Sequence, residues 1–357
     1  MNYSKRDATM TRGLAILCML ILHLFCRRGI DVYGEPLIWL NNTTPLVYWF
    51  GFFSGICVPL YSLCAGYAQQ IIAEKLIQGS QIWKSNLVRA WNLMKNYWAV
   101  LFLFSSIGIC IAPDGNIPGN IENFIKSIFL LHTYNGSWWY LNTYVLLMLI
   151  PTVILMFPVR RIKYHLGILV CIILDMGWYI IGHFGLLPPE PQNIYTAFVY
   201  KEIINLIGIL PAFWVGAFLC KGKLVKKCDS WLGKHFTLTQ RNVLLCGCLF
   251  LVFLAYNLLE KSAVVLWVTI VTFLSFNLIY KSETITKIFL FLGQHSTNIW
   301  LTHMFFYIYM FPGLVQKAKY PLFMLIFMLV LCIVTSYVIN ALMLAVEELT
   351  KKRKIIK

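Results

Sequence analysis

An arginine and a histidine bracket an apolar run near the start of the chain, Arg12 to His23 in RGLAILCMLILH. The segment from about residue 10 to residue 26 reads as a membrane span. On a helix, the eleven-residue step from Arg12 to His23 rises roughly 16 Å and ends within about 20° of a whole number of turns. Both side chains therefore lie on one stripe, the guanidinium at an interface and the imidazole well inside. Lipid makes ionisable groups expensive, so such residues point to function by default. The alternative is a buried histidine satisfied by a neighbouring helix. Desolvation favours the neutral imidazole, the form that acts as a general base, and a planar guanidinium suits phosphate. One stripe can thus hold a phosphate-bearing donor at its foot and a proton acceptor near its top.

The elements that must position this pair follow from composition. Of the 357 residues, 59% are hydrophobic and 12% charged, and mean hydropathy is +0.72. Soluble domains carry about 25% charged residues. Apolar runs of about 17–25 residues, long enough to cross a bilayer, recur from end to end. Ten spans are predicted, near residues 10–27, 44–70, 96–112, 138–157, 165–185, 202–220, 242–259, 262–280, 293–311 and 321–346. The expected fold is an all-α polytopic membrane protein. Residues 1–357 read as one integral membrane domain with no separate soluble domain, and the first run as retained, since no small-residue cleavage site follows it.

The net charge of +16 invites a nucleic-acid partner, and its placement argues against one. With alternate loops assigned to the cytoplasm, 23 of the 30 Lys and Arg fall on that side or at its boundary. They sit at Lys5, Arg6 and Arg12, then in residues 75–95, 160–163, 221–241, 281–287 and 351–357. The positive-inside bias explains this without an anionic partner. It places both termini in the cytoplasm, and Asp31, Glu35, Asp114, Glu122, Glu190 and Glu260 on the opposite side.

Four connections are more than minimal: residues 27–43, the basic and Trp-containing stretch 74–96, residues 113–137, and the proline-rich 187–198. Within the third, IENFIKSIFLLH is too short and polar to span easily and reads as an interfacial or re-entrant helix, which is tolerated against protein or a water-filled cavity. Most of the eleven cysteines sit in apolar runs without metal or disulfide spacing and read as small buried hydrophobes. No phosphate loop, G-x-S-x-G elbow, H-E-x-x-H or His-x4-Asp pattern is present. NTPase, serine-hydrolase and zinc-protease readings have no support.

Several segments, taken in order, resemble the membrane-bound acyltransferase 3 family, whose members acylate bacterial cell-surface polysaccharides and related glycans. Arg12-x10-His23 is similar to that family's signature, FGFFSGICVPLYSLCAGY (residues 50–67) to its second span, and LVRAWNLMKNYWAV (87–100) to the basic loop before the third. WWYLNTYVLLMLIP (138–151) resembles its Trp-Tyr-Leu segment, and LGQHSTNIWLTH (292–303) its late Gly-x-x-Ser motif. The resemblance implies a ten-span bundle in the bacterial cytoplasmic membrane. It also implies acyl-CoA, usually acetyl-CoA, as donor substrate with no bound cofactor, and a surface or lipid-linked glycan hydroxyl as acceptor on the far side, with membrane lipid around it. His23 and Arg12 are then the catalytic pair. His23 deprotonates the hydroxyl or first takes the acyl group itself.

One departure bears on the donor. Many family members carry Arg-x-x-Arg in the basic loop, whereas here Arg89 is followed by Asn92 and the next cation is Lys95. Donor contacts fall to Arg89, Lys95 and Lys84, with a snorkelling topology signal as the alternative. Asp175 lies mid-span, and His303, seven residues after Ser296, shares its face. These three, with Asn142 and Arg27, are candidates for the cavity or the acceptor side; cross-helix hydrogen bonds or an interfacial Arg27–Arg28 pair are the alternatives. Trp138, Trp139 and Tyr140 fit an aromatic belt, His132 is open, and the sequons at Asn41, Asn42 and Asn135 matter only in a secretory pathway. The rival class is a proton-coupled transporter or glycan flippase in which His23 and Asp175 relay protons. Repeated halves or paired broken helices, common in transporters, are not evident in the sequence.

Overall fold

Two pairs of helices approach so closely that only glycine fits between them, and these crossings organise the protein. The structure, a computed structural model, describes residues 3–27, 32–75, 79–112, 115–150, 152–259 and 264–355. Arg28, Asp31, Asp114, Pro151 and Glu260, noted above, lie outside these residues, as do the side chains of the basic run 351–357. The helices are α1 (Lys5–Phe25), α2 (Leu46–Phe53), α3 (Cys57–Lys75), α4 (Gly79–Ile111) and α5 (Ile121–Ile128). Next come α6 (Trp139–Leu149), α7 (Thr152–Leu155), α8 (Phe157–Arg161), α9 (Tyr164–His183) and α10 (Ile194–Lys221). The last five are α11 (Leu224–His235), α12 (Leu238–Leu259), α13 (Val265–Leu278), α14 (Glu283–Met304) and α15 (Pro321–Ile355). No strand occurs among the described residues.

A capping box starts α1: the Asp7 carboxylate accepts from Ser4 N and Oγ, and Asp7 N donates to Ser4 Oγ. The helix then packs along α14. A Cβ placed on Gly13 would lie 2.1 Å from the Phe289 carbonyl oxygen, and one on Gly293 would lie 1.9 Å from that of Thr9. Gly66 of α3 and Gly216 of α10 repeat this arrangement, their Cβ positions 1.7 Å from Phe213 O and 1.9 Å from Leu63 O. Lipid removes the hydrophobic gain from helix association, so close backbone packing at small residues takes over. In both pairs the two helices run in the same direction.

Seven helices among the described residues are long and apolar enough to cross a membrane: Lys5–Phe25, Leu46–Lys75, Gln81–Ile111, Tyr164–His183, Ile194–Lys221, Leu238–Leu259 and Pro321–Glu348. The protein is thus an all-α, multi-pass membrane protein. The other three expected spans differ in character. Residues 138–157 are broken: α6 stops at Leu149, and Ile150 is extended (ψ 130°) because the proline after it disfavours helical backbone. α13 has only 14 residues. α14 has 22 but carries His295, Ser296, Asn298, Thr302 and His303 along its buried length.

The expected interfacial element is α5, eight residues long and strongly amphipathic. It is tied to α4 by Tyr97 OH donating to Ser127 O (2.7 Å) and Trp98 Nε1 to Ile128 O (2.9 Å). Nearby, Ser127 Oγ lies 3.1 Å from His132 Nδ1, and burial holds that imidazole below its ordinary pKa. The eleven cysteines are all free, most of them buried or partly buried, with Cys110 and Cys246 exposed. At the end where α1 begins and α3 and α10 finish, cationic side chains cap helix carbonyls. Lys221 Nζ donates to Val159 O (2.6 Å) and Ile162 O (2.9 Å), and Arg241 Nε to Leu278 O (2.9 Å). At the opposite end, lysines lie beside acids: Lys126–Glu122 (2.5 Å), Lys201–Glu190 (2.8 Å) and Lys319–Glu35 (3.9 Å).

Candidate functional site

Arg12 opens onto a cavity of about 450 Å³ between α1, α3, α4, α6 and α14. Small-molecule sites typically hold about 300–1,000 Å³. Three cations line it, Lys5, Arg12 and Arg89, and no acidic residue does so among the described residues. Asn92, Asn96, Tyr61, Tyr144, Ser296 and Thr297 add polar groups, while Tyr140 and Trp300, with ring centroids 5.7 Å apart, also line it. Arg12 Nη2 donates to Thr9 Oγ1 at 3.2 Å, which aims the guanidinium along α1. Its positive charge meets no carboxylate within ion-pair distance among the described residues. The chemistry this permits is capture of an anion by unneutralised cations, with hydroxyl and amide donors beside them.

The α4 contribution has a helical logic. Arg89, Asn92 and Asn96 follow a three-then-four spacing that puts them on one face, and that face lines the cavity. Lys95 falls off it and meets Glu347 of α15 at 3.6 Å, and Lys84 is exposed. Neither lysine lines the cavity, and Lys5, which sequence reasoning overlooked, does.

His23 lies on the same α1 stripe beyond the cavity. Its Nδ1 is 2.8 Å from His303 Nε2, and the two rings stack with centroids 4.8 Å apart at 23°. His303 is fully buried, with Nδ1 directed at the carbonyl oxygens of Trp300 (2.8 Å) and Ile299 (3.2 Å). Each histidine follows a crossing glycine by ten positions, Gly13 to His23 and Gly293 to His303. The parallel crossing therefore carries both rings to one height. Beyond His303, α14 passes into a π-turn, Phe305–Tyr309, a feature frequent at functional sites. That turn lets Tyr307 OH donate to Leu24 O (3.3 Å) on α1. Arg27 sits over the Tyr307 ring, 5.3 Å from its centroid, and its carbonyl accepts from Tyr33 OH.

The segment around the paired tryptophans braces α14 rather than facing lipid throughout. Trp138 Nε1 donates to Leu301 O (3.0 Å), and Trp300 Nε1 donates back to Ser137 O (3.1 Å). Trp138 and Tyr140 are buried, so the aromatic-belt expectation describes only the exposed Trp139.

The remaining candidates sit elsewhere or serve packing. Ser296 lines the cavity while its Oγ donates to Gly293 O at 2.9 Å. Asn142 Nδ2 donates to Glu202 Oε1 (3.2 Å) and Thr143 Oγ1 to Glu202 Oε2 (3.1 Å), a buried cluster away from that cavity. Glu202 escaped sequence reasoning, although a carboxylate at the head of an apolar run was a visible signal. Asp175 lines a second cavity with Trp178, Tyr179 and Asn205, and His23 is not among its lining. The two ends of the proton relay imagined for a transporter are not brought together.

No curated protein and no solved structure matches the chain. The model of one family does, that of the acyltransferase domain in its acyltransferase 3 form, over residues 8–341. That stretch is nearly the whole chain and contains Arg12 and Arg89 of the cavity and the histidine pair, so the chain belongs to the acyltransferase 3 family.

Proposed function

We propose that this membrane acyltransferase transfers an acyl group, acetyl foremost, from cytoplasmic acyl-CoA to a hydroxyl of a cell-surface or lipid-linked polysaccharide. What carries the reading is the cavity of Lys5, Arg12 and Arg89 without an opposing acid, set on the same α1 stripe as His23. The donor's phosphates neutralise the three cations. Its pantetheine arm reaches past Tyr140 and Trp300 toward His23, roughly 16 Å along α1 from Arg12. There the acceptor oxygen forms the new ester bond to the acyl carbon as the carbon–sulfur bond breaks. His23 takes the hydroxyl proton and passes it to the departing thiolate.

Residues 1–357 act as a single domain with ten crossings in the bacterial cytoplasmic membrane, α6–α8, α13 and α14 completing the seven long spans. The basic end faces the cytoplasm together with both termini. Cysteine labelling is expected to find residues 158–164 and 221–240 inside and 28–43 and 186–200 outside. An external C-terminus sinks the orientation.

Mass spectrometry of surface glycan is expected to show acetyl increments in cells that contain the protein and none in cells without it. Arg89→Ala should raise the half-saturating acyl-CoA concentration roughly ten- to a hundredfold, since hydrogen bonds to charged groups contribute about 1.5–3 kcal/mol. Acceptor saturation should stay unchanged. An unaltered acyl-CoA dependence in Arg89→Ala removes the cavity from the donor's path.

A further inference from the structure

We infer that His303 is a positioning residue that holds His23 in the tautomer with a bare Nε2, so that Nε2 is the atom that accepts the hydroxyl proton. The inference rests on the reading of His23 as the base and names the atom and the partner that make it one. A carbonyl oxygen only accepts, so the 2.8 Å contact to Trp300 O requires a proton on His303 Nδ1. A neutral His303 then has an unprotonated Nε2, which is the atom facing His23 Nδ1 at 2.8 Å. Between two neutral rings only one direction of donation remains, from His23 Nδ1–H to His303 Nε2. The lone pair of His23 is left on Nε2, which has no hydrogen-bond partner among the described residues. An unrestrained histidine in water prefers the opposite tautomer, with the proton on Nε2. The chain from backbone carbonyl through His303 to His23 removes that preference.

Packing fixes the relay as firmly as the hydrogen bonds do. His303 is fully buried at the point where α14 passes into its π-turn, and Phe305, two residues on, stacks against Phe104 with centroids 4.1 Å apart. Leu301 O, two residues before His303, accepts from Trp138 Nε1. The ring that sets the tautomer is therefore held from both sides of its own helix.

The test is solid-state NMR of histidine-¹⁵N-labelled protein in lipid bilayers, with His23→Gln identifying the His23 signals. The wild type is expected to show His23 protonated at Nδ1 and bare at Nε2. His303→Gln keeps an amide oxygen where Nε2 stood, and should preserve both that tautomer and most of the transfer rate. His303→Leu should release the tautomer and lower the rate roughly tenfold to a hundredfold, as loss of a group that orients a functional histidine does. A wild-type His23 protonated at Nε2 overturns the inference whatever the variants do. A rate in His303→Gln as low as in His303→Leu also overturns it, since an acceptor alone would then not suffice. Normal transfer by His23→Gln defeats the base assignment separately, because the tautomer is read without reference to activity.

Discussion

His23→Gln is expected to lower acyl transfer by about 10²–10⁴-fold, the scale of a lost general base, while the protein still accumulates in the membrane. Glutamine keeps the size and hydrogen-bonding capacity of the imidazole, and its amide can still donate to His303 Nε2. It cannot take up a proton at neutral pH. His23 is only half-buried, whereas its partner His303 is fully buried, so the substitution falls on the more accessible ring and leaves the packed one intact. Transfer should be compared at matched membrane levels, with His23→Ala alongside. Normal acylation by the glutamine variant would return His23 to the role of a packing histidine.

A loss of similar size is expected from a residue that touches no substrate. Gly293→Val places a Cβ where the Thr9 carbonyl oxygen lies 1.9 Å away, and backbone on both sides leaves nothing flexible to yield. α1 and α14 must separate, and they carry Arg12 with Ser296 on one level and His23 with His303 on another. A displacement of about 1 Å in a catalytic arrangement can cost 10²-fold, and thermal stability in detergent should fall with it. Gly247→Ala on α12 is the control, since a Cβ there meets nothing within 4 Å, and helix propensity favours alanine by about 0.5–1 kcal/mol. If Gly293→Val retains wild-type transfer and stability, the crossing does not set the site.

Much of this protein can be read from residue order because helices impose a short-range rule. A helix fixes which residues share a face, so Arg12 and His23 could be placed on one stripe before any neighbour was known. Long apolar runs announce a multi-pass membrane protein because lipid tolerates little else. The motif resemblance pointed to the family over the stretch that its model matches.

What periodicity cannot supply is the partner of each face, because helix rotation and crossing are set by contacts between distant segments. His23 and His303 are 280 positions apart, and only the Gly13–Gly293 crossing brings them to one height. Arg89, Asn92 and Asn96 of α4 face the cavity, and Lys95 faces Glu347, because of how α4 is rotated against α14 and α15. Lys5 looked like one more topology signal, and the fold turned it into a wall of the cavity. Trp138 looked like a belt residue, and its indole instead braces α14 from a fully buried position. α14 illustrates the limit most directly. The polar groups that weaken its resemblance to a membrane span are the ones that face α1, α15 and the cavity, where protein rather than lipid receives them.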